Sequence, residues 1–213
     1  MGESLPAMPA DASAPACPSS LSDLAAEIAG CRVCAARFAA TATGHAPRPV
    51  VRLSATARLL VAGQAPGARV HASGTPFDDA SGDRLRDWMG VSRAVFYDTG
   101  KVAIVPMAFC FPGYDAKGAD LPPPPDCARL WRARVLAAMP QVALTLLVGG
   151  HAQAWALGPG TVDARVRDWR GGPAGTICLP HPSWRNTGWL RRNPWFEAEV
   201  VPWLRARVAE AVR

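Results

Sequence analysis

The chain has 213 residues, 49% of them hydrophobic, which is enough to bury a full core and, on length alone, favours one domain over two. Its net charge is +6, and nearly all of the positive charge is arginine, since Lys101 and Lys117 are the only lysines. Guanidinium groups suit phosphate because they donate two parallel hydrogen bonds, yet a general preference for arginine would raise the count equally, so only local clustering weighs as a sign of an anionic partner. No apolar run approaches the roughly 20 residues needed to span a bilayer, and the first residues lack the basic and apolar regions of a secretory signal. A soluble, cytoplasmic protein is expected.

Residues 1–20 are rich in Pro, Ala and Ser and read as a disordered tail, leaving 21–213 as the single domain. "SLSDLAAEIAG" then reads as a helix with Ser or Asp caps and a closing Gly30. Four apolar runs follow along the chain, at 57–62, 102–107, 144–148 and 176–179, each short, rich in Val, Ile and Leu, and not alternating. That is the pattern of strands buried on both faces. Between and after them, "SGDRLRDWMG", "DCARLWRARVLAAM" and "PWFEAEVVPWLRARVAEAV" read as helices, the last with a new turn or kink at Pro202. "DLPPPPDC" is a stiff connector.

Strands alternating with helices imply a parallel sheet covered on both faces, with ligands bound in the crevice beyond the carboxyl ends of the strands. The stretches that follow the four runs, "GQAPG", "AFCFPG", "GGHAQ" and "HPSWRN", are all expected at that crevice. In the first, Gly63 and Gly67 let backbone approach a ligand, Pro66 fixes the turn and Gln64 offers both a donor and an acceptor. The same residues also suit an ordinary tight turn. His181 stands at a strand end between two prolines, where it can serve as an electrophile or hydrogen-bond donor as readily as a structural group. Phe77, in "GTPF", can stack on a planar ring or belong to the core.

Cys31 and Cys34 form C-x-x-C, and Cys110 and Cys127 flank the proline-rich loop. Two such pairs suggest a metal or iron–sulfur site more than disulfides, although the second pair equally suits two buried thiols. Cys178 reads as core, and Cys17 lies in the tail. Trp184, Trp189 and Trp195 interleave with Arg185, Arg191 and Arg192, and Arg165, Arg167 and Arg170 lie just upstream. Aromatics among arginines suit a surface that stacks bases and neutralises phosphates, with a helix-docking tryptophan cluster as the plain alternative.

Taken in order, these residues resemble a known family. "GQAPGARVHASGTPF" is similar to the first motif of the uracil-DNA glycosylase superfamily, especially the iron–sulfur branches with a G-E-A-P-G turn and G-x-P-F, and "HPSWRN" resembles their H-P-S motif. The resemblance implies a three-layer α/β/α sandwich with a central four-stranded parallel sheet. It also implies a structural 4Fe-4S cluster on Cys31, Cys34, Cys110 and Cys127. The activity implied is excision of a damaged base from DNA, taken from a single strand or flipped out of a duplex. His181 would stabilise charge on the departing base, and Phe77 would stack beneath it. Gln64 would hold the base or the attacking water, and Gly63, Ala65, Pro66 and Gly67 would leave room for the flipped nucleotide. Ser183, Trp184, Arg185, Asn186, Arg191 and Arg192 would touch the DNA, with Trp184 and Arg185 beside the lesion.

Two departures from the family's motifs bear on chemistry. Ala65 stands where the familiar G-Q-D-P-Y enzymes carry a water-positioning aspartate, and Gln64 stands where the iron–sulfur branch has glutamate, so Asp78 or Asp79 is the nearest substitute. The asparagine that reads the uracil edge is expected shortly before Cys110, where this chain has "IVPMAFC" and Pro106. Three readings follow: a DNA glycosylase with uracil as first substrate, a non-catalytic iron–sulfur protein that binds nucleic acid, and a zinc-stapled hydrolase.

Overall fold

The structure is a computed structural model that describes residues 20–213; the predicted tail and Cys17 lie outside the described residues, apart from Ser20. Ser20 caps the first helix, α1 (Leu21–Ala29), its hydroxyl accepting from the Asp23 amide, and a short helix α2 (Ala35–Ala39) follows the C-x-x-C. The sheet is built from β1 (Leu59–Ala62), β2 (Val102–Ile104), β3 (Leu144–Val148) and β4 (Thr176–Leu179), ordered β2-β1-β3-β4 and wholly parallel. The predicted second strand is cut short before Pro106, which has no amide to donate to a ladder. The pairing nevertheless reaches one residue further, with the Val105 amide donating to the Val61 carbonyl.

Alternation along β1 explains why the sheet is covered on both faces. Leu59 and Val61 pack into one core with α4 (Ala80–Met89), α5 (Arg93–Phe96) and the C-terminal helix, through Leu85, Trp88, Phe96 and Leu204. Leu60 points the other way, into a second core with Leu24 and Ile28 of α1 and with Trp131, Val135 and Met139. These two cores make the α/β/α sandwich.

Two long helices are not regular. The predicted helix at 126–139 runs as α6 (Pro125–Cys127), a π turn over Ala128–Arg132, then α7 (Ala133–Ala137). The last begins with a π turn over Phe196–Val200 and continues as α11 (Val201–Ala211). Pro202 sits at the join, where its missing amide breaks the regular ladder, as the sequence predicts. Besides α2 and α5, the short helices with no counterpart among the predicted elements are α3 (Ala68–Ser73) directly after "GQAPG", α8 (Gly150–Leu157) after β3, α9 (Val162–Arg167) and α10 (Thr187–Arg192). No helix among the described residues is long and apolar enough to cross a membrane.

Candidate active site

At the carboxyl ends of the strands lies a cleft of about 510 Å³, open to solvent. The loop after β1 contributes Gly63, Gln64, Ala65, Pro66 and Gly67, then Phe77 and Asp79. The stretch after β2 contributes Pro106, Pro112 and Asp120, and that after β4 contributes His181, Ser183, Trp184, Arg185 and Asn186. The first two walls are joined by backbone: the Met107 and Ala108 amides donate to the carbonyls of Gly63 and Gln64. The expectation that all four post-strand stretches face the crevice needs a correction. "GGHAQ" starts α8 outside the cleft, with His151 exposed, and only Gly149 comes near, packed behind His181.

His181 is held from its own loop. The Ser183 amide donates to Nδ1 at 3.3 Å, and Asn186 donates to the His181 carbonyl at 2.7 Å. A neutral ring with Nδ1 accepting carries its proton on Nε2, so the imidazole is a donor at that atom. Burial lowers its pKa below the ordinary 6.5, against the opposing pull of Asp79 and Asp120 and with the help of Arg185. The neutral donor is therefore the resting form. Arg84, on α4, donates to the Ser183 carbonyl at 3.1 Å and so ties this loop to the helix that begins at Asp79.

Phe77 lies against Gly63: a Cβ at that glycine would stand 3.1 Å from the Phe77 Cζ, so any larger residue would press on the ring. Of the two candidate carboxylates, Asp78 is turned aside into an ion pair with Arg93 at 2.8 Å and does not line the cleft. Asp79 does line it, as the N-cap of α4, with Oδ1 accepting from the Gly82 amide at 2.8 Å. Sequence reasoning missed Asp120 altogether. It is brought to the cleft by a turn in which the Asp115 carboxylate accepts from the Lys117 and Ala119 amides, followed by a bridge to Tyr114.

These walls bear the motifs of one family in chain order, and the model of the uracil DNA glycosylase superfamily matches residues 51–205. The chain belongs to that superfamily. Superfamily members are generally DNA glycosylases, hydrolases that act on DNA. Pro106 lines the cleft and, as a proline, brings neither a backbone amide nor a side-chain amide to that wall.

The tryptophan–arginine cluster divides into two parts. Trp184 is 74% exposed, with the Arg185 guanidinium 5.3 Å from its ring centroid. Trp189 and Trp195 instead pack edge-on against Phe196, and the Trp189 indole donates to Asp163, so neither is a stacking surface. Arg165 donates to the Gly158 carbonyl, Arg167 pairs with Asp163 and bonds Asn193, and Arg170 lies over Trp169. These three hold helices together. Arg191 and Arg192 are exposed on α10, away from the cleft lining, and with Arg185 they have no carboxylate partner among the described residues.

Cys31, Cys34, Cys110 and Cys127 line a second, apolar cavity together with Phe38, Phe109 and Trp131. Burial pushes the Cys110 thiol up to about 12 and Cys127 up to about 11, and raises Cys34, with neighbouring cysteines adding to each shift. The Phe109 amide donates to the Cys127 sulfur at 3.3 Å. Among the described residues, no three His, Cys, Asp or Glu side chains are grouped to hold a single metal ion. Cys178 is buried in β4, as expected of a core thiol.

Proposed function

We propose that this superfamily member hydrolyses the N-glycosidic bond of uracil or a related deaminated base in DNA. The observation that carries the reading is His181, a neutral donor at Nε2 in the same cleft as the Phe77 ring and the capped Asp79 carboxylate.

A base flipped into the cleft stacks on Phe77. As the bond from the sugar to the base nitrogen breaks, the electron pair stays on the base, and charge grows on its carbonyl oxygen. The His181 N–H meets that charge without having to give up a proton. The sugar takes on oxocarbenium character, as in other glycosidic hydrolyses. Asp79 has Oδ1 committed to its helix cap and no partner for Oδ2 among the described residues, so the second oxygen holds the attacking water and takes its proton. The departing base anion is then protonated by solvent. Replacing Asp79 with asparagine, which caps a helix as well as aspartate, should leave the melting temperature nearly unchanged while slowing excision about a hundredfold. Equal rates in single turnover would remove Asp79 from the mechanism.

The four cysteines line one apolar cavity, and four thiols brought together suit the 4Fe-4S cluster that the family's iron–sulfur branches carry. Such a cluster would supply cross-linking here and takes no part in the steps above.

Arg185, Arg191 and Arg192 are the cations assigned to DNA phosphates. Neutralising all three should flatten the slope of log affinity against log salt by roughly 0.9 for each phosphate they pair with. An unchanged slope would return them to the solvated surface.

The test of the whole reading is direct. Single- and double-stranded oligonucleotides carrying uracil, hypoxanthine or xanthine are incubated with the protein, and abasic sites are cleaved with alkali. Cleavage at the lesion is expected. Bound but uncleaved DNA would favour the non-catalytic reading, for which Pro106 on the cleft wall and Ala65 in the first motif are the motivating residues.

A further inference from the structure

Phe77 is, among the described residues, the one residue other than glycine with a positive φ, at 56°. Left-handed backbone is costly for an aromatic residue and persists only where its surroundings over-determine it. Here they do. The Phe77 carbonyl accepts from Arg86 Nη1 at 3.1 Å, and the Pro76 carbonyl, on the other side of the same residue, accepts from the Tyr97 hydroxyl at 2.9 Å. Arg86 also donates to that hydroxyl at 3.4 Å, so the two clamps are joined. Gly82 completes the seat, because a Cβ there would collide with the Phe77 carbonyl oxygen.

Arg86 is an unusual residue to find in this place. It is only 6% exposed, packs its guanidinium over Phe96 and Tyr97, and pairs at 2.6 Å with Asp83, whose own side chain faces solvent. Burying a cation whose partner stays in water is a poor way to stabilise a helix. What it gains instead is a fixed donor at the one strained carbonyl.

We propose that Arg86, which does not line the cleft, is a positioning residue: its guanidinium locks the left-handed turn at Phe77 and thereby holds the ring against Gly63, where a flipped base stacks. The inference rests on the reading of this cleft as a base pocket.

Arg86→Met keeps the long apolar stem and removes the donors. It should slow single-turnover base release by about ten- to a hundredfold, with little change in affinity for lesion-free DNA. In a Phe77→Leu background it should cost nothing further, because both changes act through one ring. Wild-type release by Arg86→Met, or losses that multiply in the double variant, would overturn the proposal. Should Arg86→Met not fold, Tyr97→Phe carries the same cycle through the Pro76 carbonyl. A readout independent of catalysis is ring-¹³C NMR. The Phe77 resonance, assigned by its absence in Phe77→Leu, should shift or broaden in Arg86→Met, and an unmoved resonance would also overturn the proposal. A wild-type protein that releases no base, with that resonance still displaced, would discard the glycosylase reading and keep the positioning role.

Discussion

Replacing His181 with alanine should lower base excision by about 10²–10³-fold, the usual cost of removing one preorganised donor from a developing anion. Binding to lesion-containing DNA should persist, because Trp184, Arg185 and the exposed arginines of α10 are untouched. The expectation rests on the tautomer. With the Ser183 amide occupying Nδ1, the proton sits on Nε2, and no other side chain of the β4 loop offers a donor held by two hydrogen bonds of that loop. Gel-shift affinity and single-turnover cleavage, measured on the same preparations, separate the two quantities; a variant that cuts at the wild-type rate removes His181 from the chemistry.

The same residue sets an acid limit. Its pKa is lowered in the fold, so the unfolded chain takes up a proton at His181 more readily than the folded one. Its contribution to stability is therefore complete above the unfolded value near 6.5 and is lost as pH falls through the lower folded value. Protonation would also turn Nδ1 into a donor facing the Ser183 amide, breaking the hydrogen bond that orients the ring. In a wild-type pH profile, the histidine-linked acid limb should lie below pH 6.5 and should be absent from the residual activity of His181→Ala.

The sheet was legible in the sequence because its strands, apart from the half-buried Thr145 and Thr176, are buried on both faces and therefore appear as short apolar runs. The short helices were not. In α3 only Val70 is buried, so "ARVHAS" carries no apolar period, and the stretch reads as loop. In α8 the polar Gln153 is fully buried, its amide donating to the carbonyls of Leu147 and Leu179, which inverts the pattern a helix normally shows. The motif residues of the cleft were legible because glycine, proline and histidine act through local backbone. Asp78 and Asp79 could not be told apart in sequence, since the choice is made by a helix cap on one and an arginine 15 residues on for the other. Asp120 and Arg86 escaped for a related reason: one is placed by a turn of its own loop, and the other looks like any solvated residue of an amphipathic helix until its tertiary partners are known.

If the proposed cluster is bound, replacing Cys110 with serine should cost the protein iron and acid-labile sulfide and, with them, much of its thermal stability. Cys110 is buried beyond β2, while the other three thiols come from the segment after α1, the start of α2 and the end of α6. A cluster bound to all four would link distant parts of the chain, and its binding free energy would be folding free energy. Cys178→Ser, a change in the β4 core, provides the control: it too should destabilise, but with full iron content. The two variants therefore separate loss of the cluster from loss of packing. The consequence should reach the cleft, because Pro106 and Pro112, which line it, lie on either side of Cys110 in the same stretch of chain. Cys110→Ser protein that still folds should thus excise more slowly even where its His181 and Asp79 are intact. Full iron in Cys110→Ser, measured by metal analysis with sulfide, would remove this residue from the ligand set; zinc without sulfide in the wild type would replace the cluster by a single-ion staple.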